Sequence, residues 1–405
     1  MTDQKTMREP LVHIVKRDGV KVWQKILIYA AAILIAVLLT GIFCSATSEK
    51  SKGVFDVFGS LVSGVFGTER RFWIFARSMM LLLGVSLAIV PAFKMKYWNL
   101  GANGQILVGC LASYCCLFYG QEAKMPAGLI MALMIVSAIL AGIIWALIPA
   151  IFKAFFKTNE SLFTLMMNYL ASGLVTMFIT IWAPKGSGSL SPIETGTLPS
   201  LDNFKAILPI IVIAVLFVVM YFYLNRSKHG FEISIVGESE NTAHYVGINY
   251  KKVVIRTLIL SGAICGIVGL LLTGGINHTV SENMHGNMGF TAIMTAWLAQ
   301  FNPFVMIGTC ALITFVSSGM AQVRTDFGFT DDAIGNIALG IIYFFIIACA
   351  FFVEYKVIFR KGKSDGSDEG YGFGKKAKEV CGRGRDKIVG LFKKKPAENT
   401  EKEEK

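Results

Sequence analysis

The sequence predicts an all-α polytopic membrane protein of about ten transmembrane helices, and three observations predict it. Hydrophobic residues make up 54% of the 405 positions and charged residues 16%, where a soluble globular chain carries roughly 25% charge. Apolar stretches of about 20 residues, each long enough to cross a bilayer, recur along the chain. Lys and Arg gather between these stretches and in a C-terminal tail, as they do at the cytoplasmic ends of membrane helices. That placement assigns the net charge of +12 to membrane topology and not to nucleic-acid binding.

The first span, 24–44, follows Lys16, Arg17, Lys21 and Lys25. It is longer than the apolar region of a signal peptide, and bulky Ile42 and Phe43 precede Cys44 where cleavage needs small residues. We read it as an uncleaved helix with residues 1–23 in the cytoplasm. The later spans fall at 72–93, 100–119, 126–151, 161–182, 205–224, 257–275, 289–301, 303–322 and 333–354. Counting from inside, Lys94 and Lys96, Lys153 and Lys157, the loop 225–256 and the tail after Tyr355 are cytoplasmic, and these are the basic segments. Arg70 and Arg71 are the one local violation. A membrane domain therefore covers 24–355, and 356–405 forms a basic tail that is disordered or lies on anionic lipid.

Spans two to five match spans seven to ten in order, entering the membrane from opposite sides. In each half a long helix precedes Asn-x-Gly, first Asn99-Leu100-Gly101 and then Asn287-Met288-Gly289. The sequence thus predicts an inverted internal repeat with short, broken segments near 99–106 and 287–301, a pattern that points to a transporter's substrate site. Side-chain amides and loosened backbone must face protein or water within a bilayer. Asn99, Gly101, Asn103, Gly104 and Gln105 concentrate both features, so they are the candidate lining of a pathway, with Asn168 of span five beside them. Gly262-x-x-x-Gly266 reads as a close-packing face.

No span carries an interior Asp or Glu, which argues against autonomous proton coupling. Arg77 lies near a helix end, from which a long side chain can snorkel. Gly362-Lys363-Ser364 imitates the end of a P-loop, but Val357 replaces its first glycine. His278 and His285 flank an outside loop as surface residues, and the eight cysteines have no metal-ligand spacing. Nothing in the sequence indicates an enzyme, a metal or a bound cofactor. In the loop 225–256, Ser239 is placed to cap a short helix from Glu240 to Val246, closed by Gly247. So short a helix needs a partner surface. Tyr245, Val246 and Ile248 offer apolar contacts, and Ala243 is small enough to seat in a partner's cleft. Its alternative is a helix lying on the membrane interface.

Four blocks carry a family resemblance. WNLGANGQILVG, TNESLFTLMMNYLA, the stretch from Gly230 to Gly269, and GFTAIMTAWLAQFNP resemble the permease subunits of ABC importers for simple sugars, nucleosides and branched-chain amino acids. The likeness covers about residues 75–350 and is nearest to bacterial nucleoside permeases. It departs where Asn103 replaces a commoner Glu, and where Ser234 and Ser239 replace Arg and Asn. The resemblance implies a multi-pass subunit of the bacterial cell membrane with both termini cytoplasmic. It implies that Gly289 and Phe290 join the pathway, and that Gly237, Glu238, Asn241, Ala243, His244, Tyr245 and Gly247 couple to an ATPase. ATP and Mg would be bound by separate ATPase subunits. A second permease subunit and an extracytoplasmic substrate-binding lipoprotein complete the implied assembly, and membrane lipid surrounds it. The rival class is an autonomous secondary transporter or channel.

Overall fold

A computed structural model describes residues 12–16, 22–47, 53, 55–200, 204–329, 337, 340–345, 347–349, 351 and 355–359. Two compact units result, one of residues 17–355 and one of 1–16 with 356–405. In the smaller, strand β1 (Val12–Lys16) pairs with β2 (Tyr355–Phe359). The larger is helical. Its order is α1 (Val22–Thr47), α2 (Asp56–Phe66), α3 (Glu69–Lys94), α4 (Ala102–Glu122), α5 (Ala127–Phe156), α6 (Glu160–Trp182) and α7 (Ile207–Arg226). Then come α8 (Lys228–Glu238), α9 (Glu240–Tyr245), α10 (Tyr250–Leu270) with a π-helical continuation (Leu271–Asn277), α11 (Met288–Leu298) and α12 (Pro303–Phe327).

Among the described residues, seven helices are long and apolar enough to cross a membrane: α3 to α7, α10 with its π turn, and α12. They coincide with the predicted spans two to seven and nine. The protein is membrane-embedded. The ten-span count is not reproduced by length alone. The first span lies within α1, and α11 has 11 residues, too few to cross. An irregular segment, 278–287, precedes α11. Of the tenth span, part of 333–354 lies outside the described residues.

The sequence did not anticipate α2. At 11 residues it is short, yet it packs on α12, where a side chain on Gly64 would come within 2.9 Å of the Gly319 Cα. The Ser60 hydroxyl donates to the Asp326 carboxyl at 2.6 Å and fixes the pairing.

At the centre, α10 is pressed between α4 and α5. A Cβ on Gly142 of α5 would lie 2.2 Å from the Gly262 carbonyl oxygen, and one on Gly266 would lie 2.4 Å from that of Ala138. From α4, a Cβ on Gly109 would meet the Gly266 Cα at 3.0 Å. The Gly262-x-x-x-Gly266 face is therefore a contact where backbones touch, as expected in lipid, where packing and not water exclusion joins helices. Ile106, Cys110, Cys265 and Val268 close the apolar layer around it, and both cysteines are free.

Gly266→Ala is expected to cost about 1–3 kcal/mol, because neither backbone can give way. Gly128→Ala, which meets nothing within 4 Å, is the control. Thermal unfolding in detergent should separate the two, with only the first lowering Tm.

Candidate functional site

A helix leaves its first four backbone N–H groups without intrahelical partners, and within a bilayer no water replaces them. Helix α4 begins in such a place. Asn99, just ahead of it, donates through Nδ2 to the Ser261 hydroxyl at 3.1 Å, well inside the α10 span. The carbonyl oxygen of the same amide accepts from the Gly101 N–H at 3.1 Å. The Leu100 N–H reaches the Thr164 hydroxyl at 3.1 Å, and the Gly104 N–H reaches the Asn168 amide oxygen at 2.8 Å. Asn168 completes the exchange by donating to the Leu100 carbonyl at 2.8 Å. Helix α4 is thus capped from α6 and from its own lead-in, not by a side chain at its N-cap, Gly101.

The second broken segment is capped in the same way by the first. Asn103 on α4 accepts from the Gly289 N–H, on the opening turn of α11, at 2.7 Å. Contact this close requires a glycine, since a Cβ at 289 would stand 2.5 Å from the Asn103 oxygen. The two Asn-x-Gly motifs, far apart in sequence, therefore meet. From their junction α11 runs toward the end of the bundle that carries α8 and α9, where Trp297 packs on Trp98 and Phe301 on Phe93.

The expectation that the amides line an open path needs revising. Asn99 is 0% exposed, Asn103 2% and Gln105 1%, the last accepting from Ser261 at 3.5 Å. Their polarity serves helix ends and helix contacts in the interior. Asn168 is partly exposed and Phe290 exposed, so of the predicted set these two reach an open face.

The loop between His278 and His285, read as a surface loop, is partly drawn into the protein. His285 is buried and its Nδ1 accepts from the Asn287 N–H at 2.8 Å, so it is not a surface residue. Glu282 accepts at 2.6 Å from the hydroxyl of Ser172, which stands midway along α6. A carboxyl group from outside the predicted spans, none of which carries an interior Asp or Glu, therefore meets the middle of a membrane-length helix. The signal was present in α6, where Ser172, Thr176 and Thr180 recur at one-turn spacing within an apolar helix. Arg77 is anchored as well as long, since its guanidinium donates to the Phe204 carbonyl at 3.0 Å.

At the α8–α9 end the sequence predicted one helix, and two are present. Glu232 of α8 pairs with Arg256 of α10 at 2.9 Å and lies 3.7 Å from His229. Burial alone would raise the Glu232 carboxyl, but hydrogen bonding and charge from Arg256, then from His229, hold it below its ordinary value. Gly237 is buried, and a Cβ there would lie 2.1 Å from the Lys94 carbonyl oxygen. Ser239 stands at the N-cap of α9 with extended backbone, yet its side chain makes no capping bond; its carbonyl accepts from Ala243 instead. Gly247, at φ +78°, ends the turn as expected.

Ala243 is 0% exposed, packed inward with Tyr97, Ala146, Ala150 and Val253. It holds α9 on its own chain and is not presented to a partner, as the sequence had suggested. Tyr245 is 92% exposed, and Glu238, Asn241, His244 and Gly247 are exposed around it. A cleft of about 570 Å³ opens beside them, lined in part by Lys157, Glu240, His244 and Lys251.

Residues 70–350 match the family described as branched-chain amino acid transport system / permease component. The chain belongs to this family. The permease is 27% identical to the guanosine ABC transporter permease protein NupP of Bacillus subtilis (strain 168), covering 76% of this chain and 88% of that one. It is 25% identical to the nucleoside ABC transporter permease protein NupB of Lactococcus lactis subsp. cremoris (strain MG1363), covering 82% and 93%. Against the glucose ABC transporter permease protein TsgB13 of Haloferax volcanii the identity is 26%, with 70% and 77% covered. All four resemblance blocks fall within the matched region. A permease component moves solute and performs no catalysis of its own.

Asn168→Leu leaves the Gly104 N–H and the Leu100 carbonyl unpaired at one stroke. The loss is expected to cost about 1–3 kcal/mol per group. Asn241→Ala, on the exposed side of α9, should leave stability unchanged. Guanidinium-free thermal melts of the purified permease, followed by size-exclusion recovery, measure the difference.

Proposed function

We propose that this permease is the transmembrane subunit of an ATP-driven ABC importer for nucleosides. The observation that carries the solute class is similarity, over three quarters or more of the chain, to permeases named for guanosine and for nucleosides. In this reading ATP and Mg bind to separate cytoplasmic ATPase subunits, and a substrate-binding lipoprotein delivers solute from outside. A second permease subunit supplies the other half of the path. Both termini and the α8–α9 end face the cytoplasm, in keeping with the basic residues there. The membrane is the cell membrane. The Haloferax relative favours a simple sugar as the second reading.

The carboxyl at mid-helix depth weakens the sequence-based case against proton coupling. Assignment to an ABC importer therefore stands on the family match and the exposed coupling end. Asn99, Asn103 and Gln105 hold the wall of the path, whereas Asn168 and Phe290 reach it. The exposed face of α9 supports its role as the ATPase contact: Tyr245 is a large aromatic left almost wholly exposed, and Ala243 seats the helix from behind.

Purified permease in liposomes is expected neither to hydrolyse ATP nor to accumulate radiolabelled guanosine. Uptake driven by a proton or sodium gradient alone would overturn the assignment, and excess glucose suppressing guanosine uptake by the full transporter would favour the sugar reading.

Tyr245→Ala should leave membrane levels normal, because the side chain is almost wholly exposed. It should weaken ATPase binding by about 2 kcal/mol, roughly 30-fold, as loss of a central aromatic does. Ala243→Glu should instead lower Tm as well as binding, since it forces a charge into a packed apolar site. Co-purification of the ATPase and thermal stability, measured together, check both.

A further inference from the structure

One face of the permease combines features that lipid does not accept. On α6, Tyr169 is 67% exposed, Thr176 and Thr180 are exposed, and Ser172 lies between them on the same side. Against Ser172 lies 278–287, which has no helical backbone although Glu282 stands at the middle of α6. Glu282, Asn283, Gly286 and Asn287 are all exposed there. Irregular backbone and an ionisable group at membrane depth are tolerated where they line a water-filled cavity or meet protein.

The segment is held firmly from behind. The Leu190 N–H donates to the Val280 carbonyl at 2.9 Å, the Ile193 N–H to that of His278 at 2.9 Å, and the Thr279 hydroxyl to the Leu190 carbonyl. Below, the cap from Asn103 to Gly289 fixes where α11 starts, and Phe290 is exposed on its first turn. One oxygen of Glu282 is taken by Ser172, and the other makes no hydrogen bond among the described residues, with the His285 imidazole near enough to feel its charge.

Resting on the importer reading above, we infer that this face is the translocation path and that Glu282 recognises the solute. A carboxyl group with a free oxygen, steadied by a neighbouring hydroxyl, accepts hydrogen bonds from a neutral molecule with adjacent donors. The ribose diol of a nucleoside is such a pair. Phe290 offers an apolar surface for a flat base. The Tyr169 hydroxyl and the oxygens of Thr176 and Thr180, whose own hydrogens are donated to the Ser172 and Thr176 carbonyls, supply neutral polar groups along α6, so solute can move on after binding. A path that sets a carboxyl among neutral hydroxyls suits an uncharged polar solute and disfavours an anion.

The test uses the assembled transporter, with its ATPase, second permease and lipoprotein. Thr176→Cys and Asn283→Cys are expected to react with a charged, membrane-impermeant thiol reagent above the wild-type background, and Met177→Cys, on the neighbouring apolar stripe of α6, is not. Guanosine should slow labelling at 283. Glu282→Gln should lower guanosine uptake roughly tenfold or more, the loss expected for a hydrogen bond to a charged group, with assembly unchanged. Unreactive cysteines at both 176 and 283, or wild-type uptake by Glu282→Gln, would overturn the inference. So would failure of Glu282→Gln to assemble, which would make Glu282 a contact of the second permease. If the wild type takes up no guanosine, the nucleoside reading fails, and the labelling pattern still decides whether this face is the path.

Discussion

A helix that begins inside a bilayer must find partners for its first N–H groups in the protein, and this fold is arranged around that need. Two helices of the permease start in such positions, α4 and α11. Amides from neighbouring elements serve both: Asn168 of α6 caps α4, and Asn103 of α4 caps α11. The caps form a chain, so α11 is placed only when α4 is placed, and α4 only when α6 is. Losing any one would leave polar groups bare where neither water nor lipid can answer them. Glycines complete the arrangement, because the donors at 104 and 289 sit where any side chain would hold the elements apart.

Much of this was legible in the sequence, and the limits have physical causes. Seven of the predicted spans became helices long enough to cross, because about 20 apolar residues admit few other outcomes in a membrane protein. The motif WNLGANGQ announced that something polar happens within apolar surroundings. Whether Asn103 would face a solute or a neighbour's N–H depended on α11, which lies far along the chain. Helix α2 gave no signal, since its length is that of a soluble helix and its stability comes from contact with α12. Glu282 was read into an outside loop because polar residues between apolar spans usually form one. Its depth is set by Ser172 across a tertiary contact, and only the spacing of Ser172, Thr176 and Thr180 hinted at a polar stripe.

The same contrast explains the α8–α9 end. Sequence reasoning took Ala243 for a surface residue because small size suits a close interface. Small size suits an internal one equally well, and the inward side of a six-residue helix needs it more, since so short a helix has no stability of its own. Tyr245 then points away by the geometry of the helix, two positions on. The exposed aromatic and the buried alanine are two sides of one requirement, which is a helix docked on the permease while offering its other face.

That docking also joins the two regions of interest physically. Ala243 shares its apolar cluster with Tyr97 and with Ala146 and Ala150 of α5. Tyr97 lies two residues before Asn99, whose amide binds Ser261 of α10. A displacement of α9 therefore bears on the link that leads into α4, and α4 carries the cap of α11. Packed interiors transmit strain and do not absorb it, and the glycine contacts between α4, α5 and α10 leave little slack for absorption. In the importer proposed above, a push on the exposed face of α9 would have a short route through packed atoms and capped helix ends to the start of α11, next to the segment that bears Glu282.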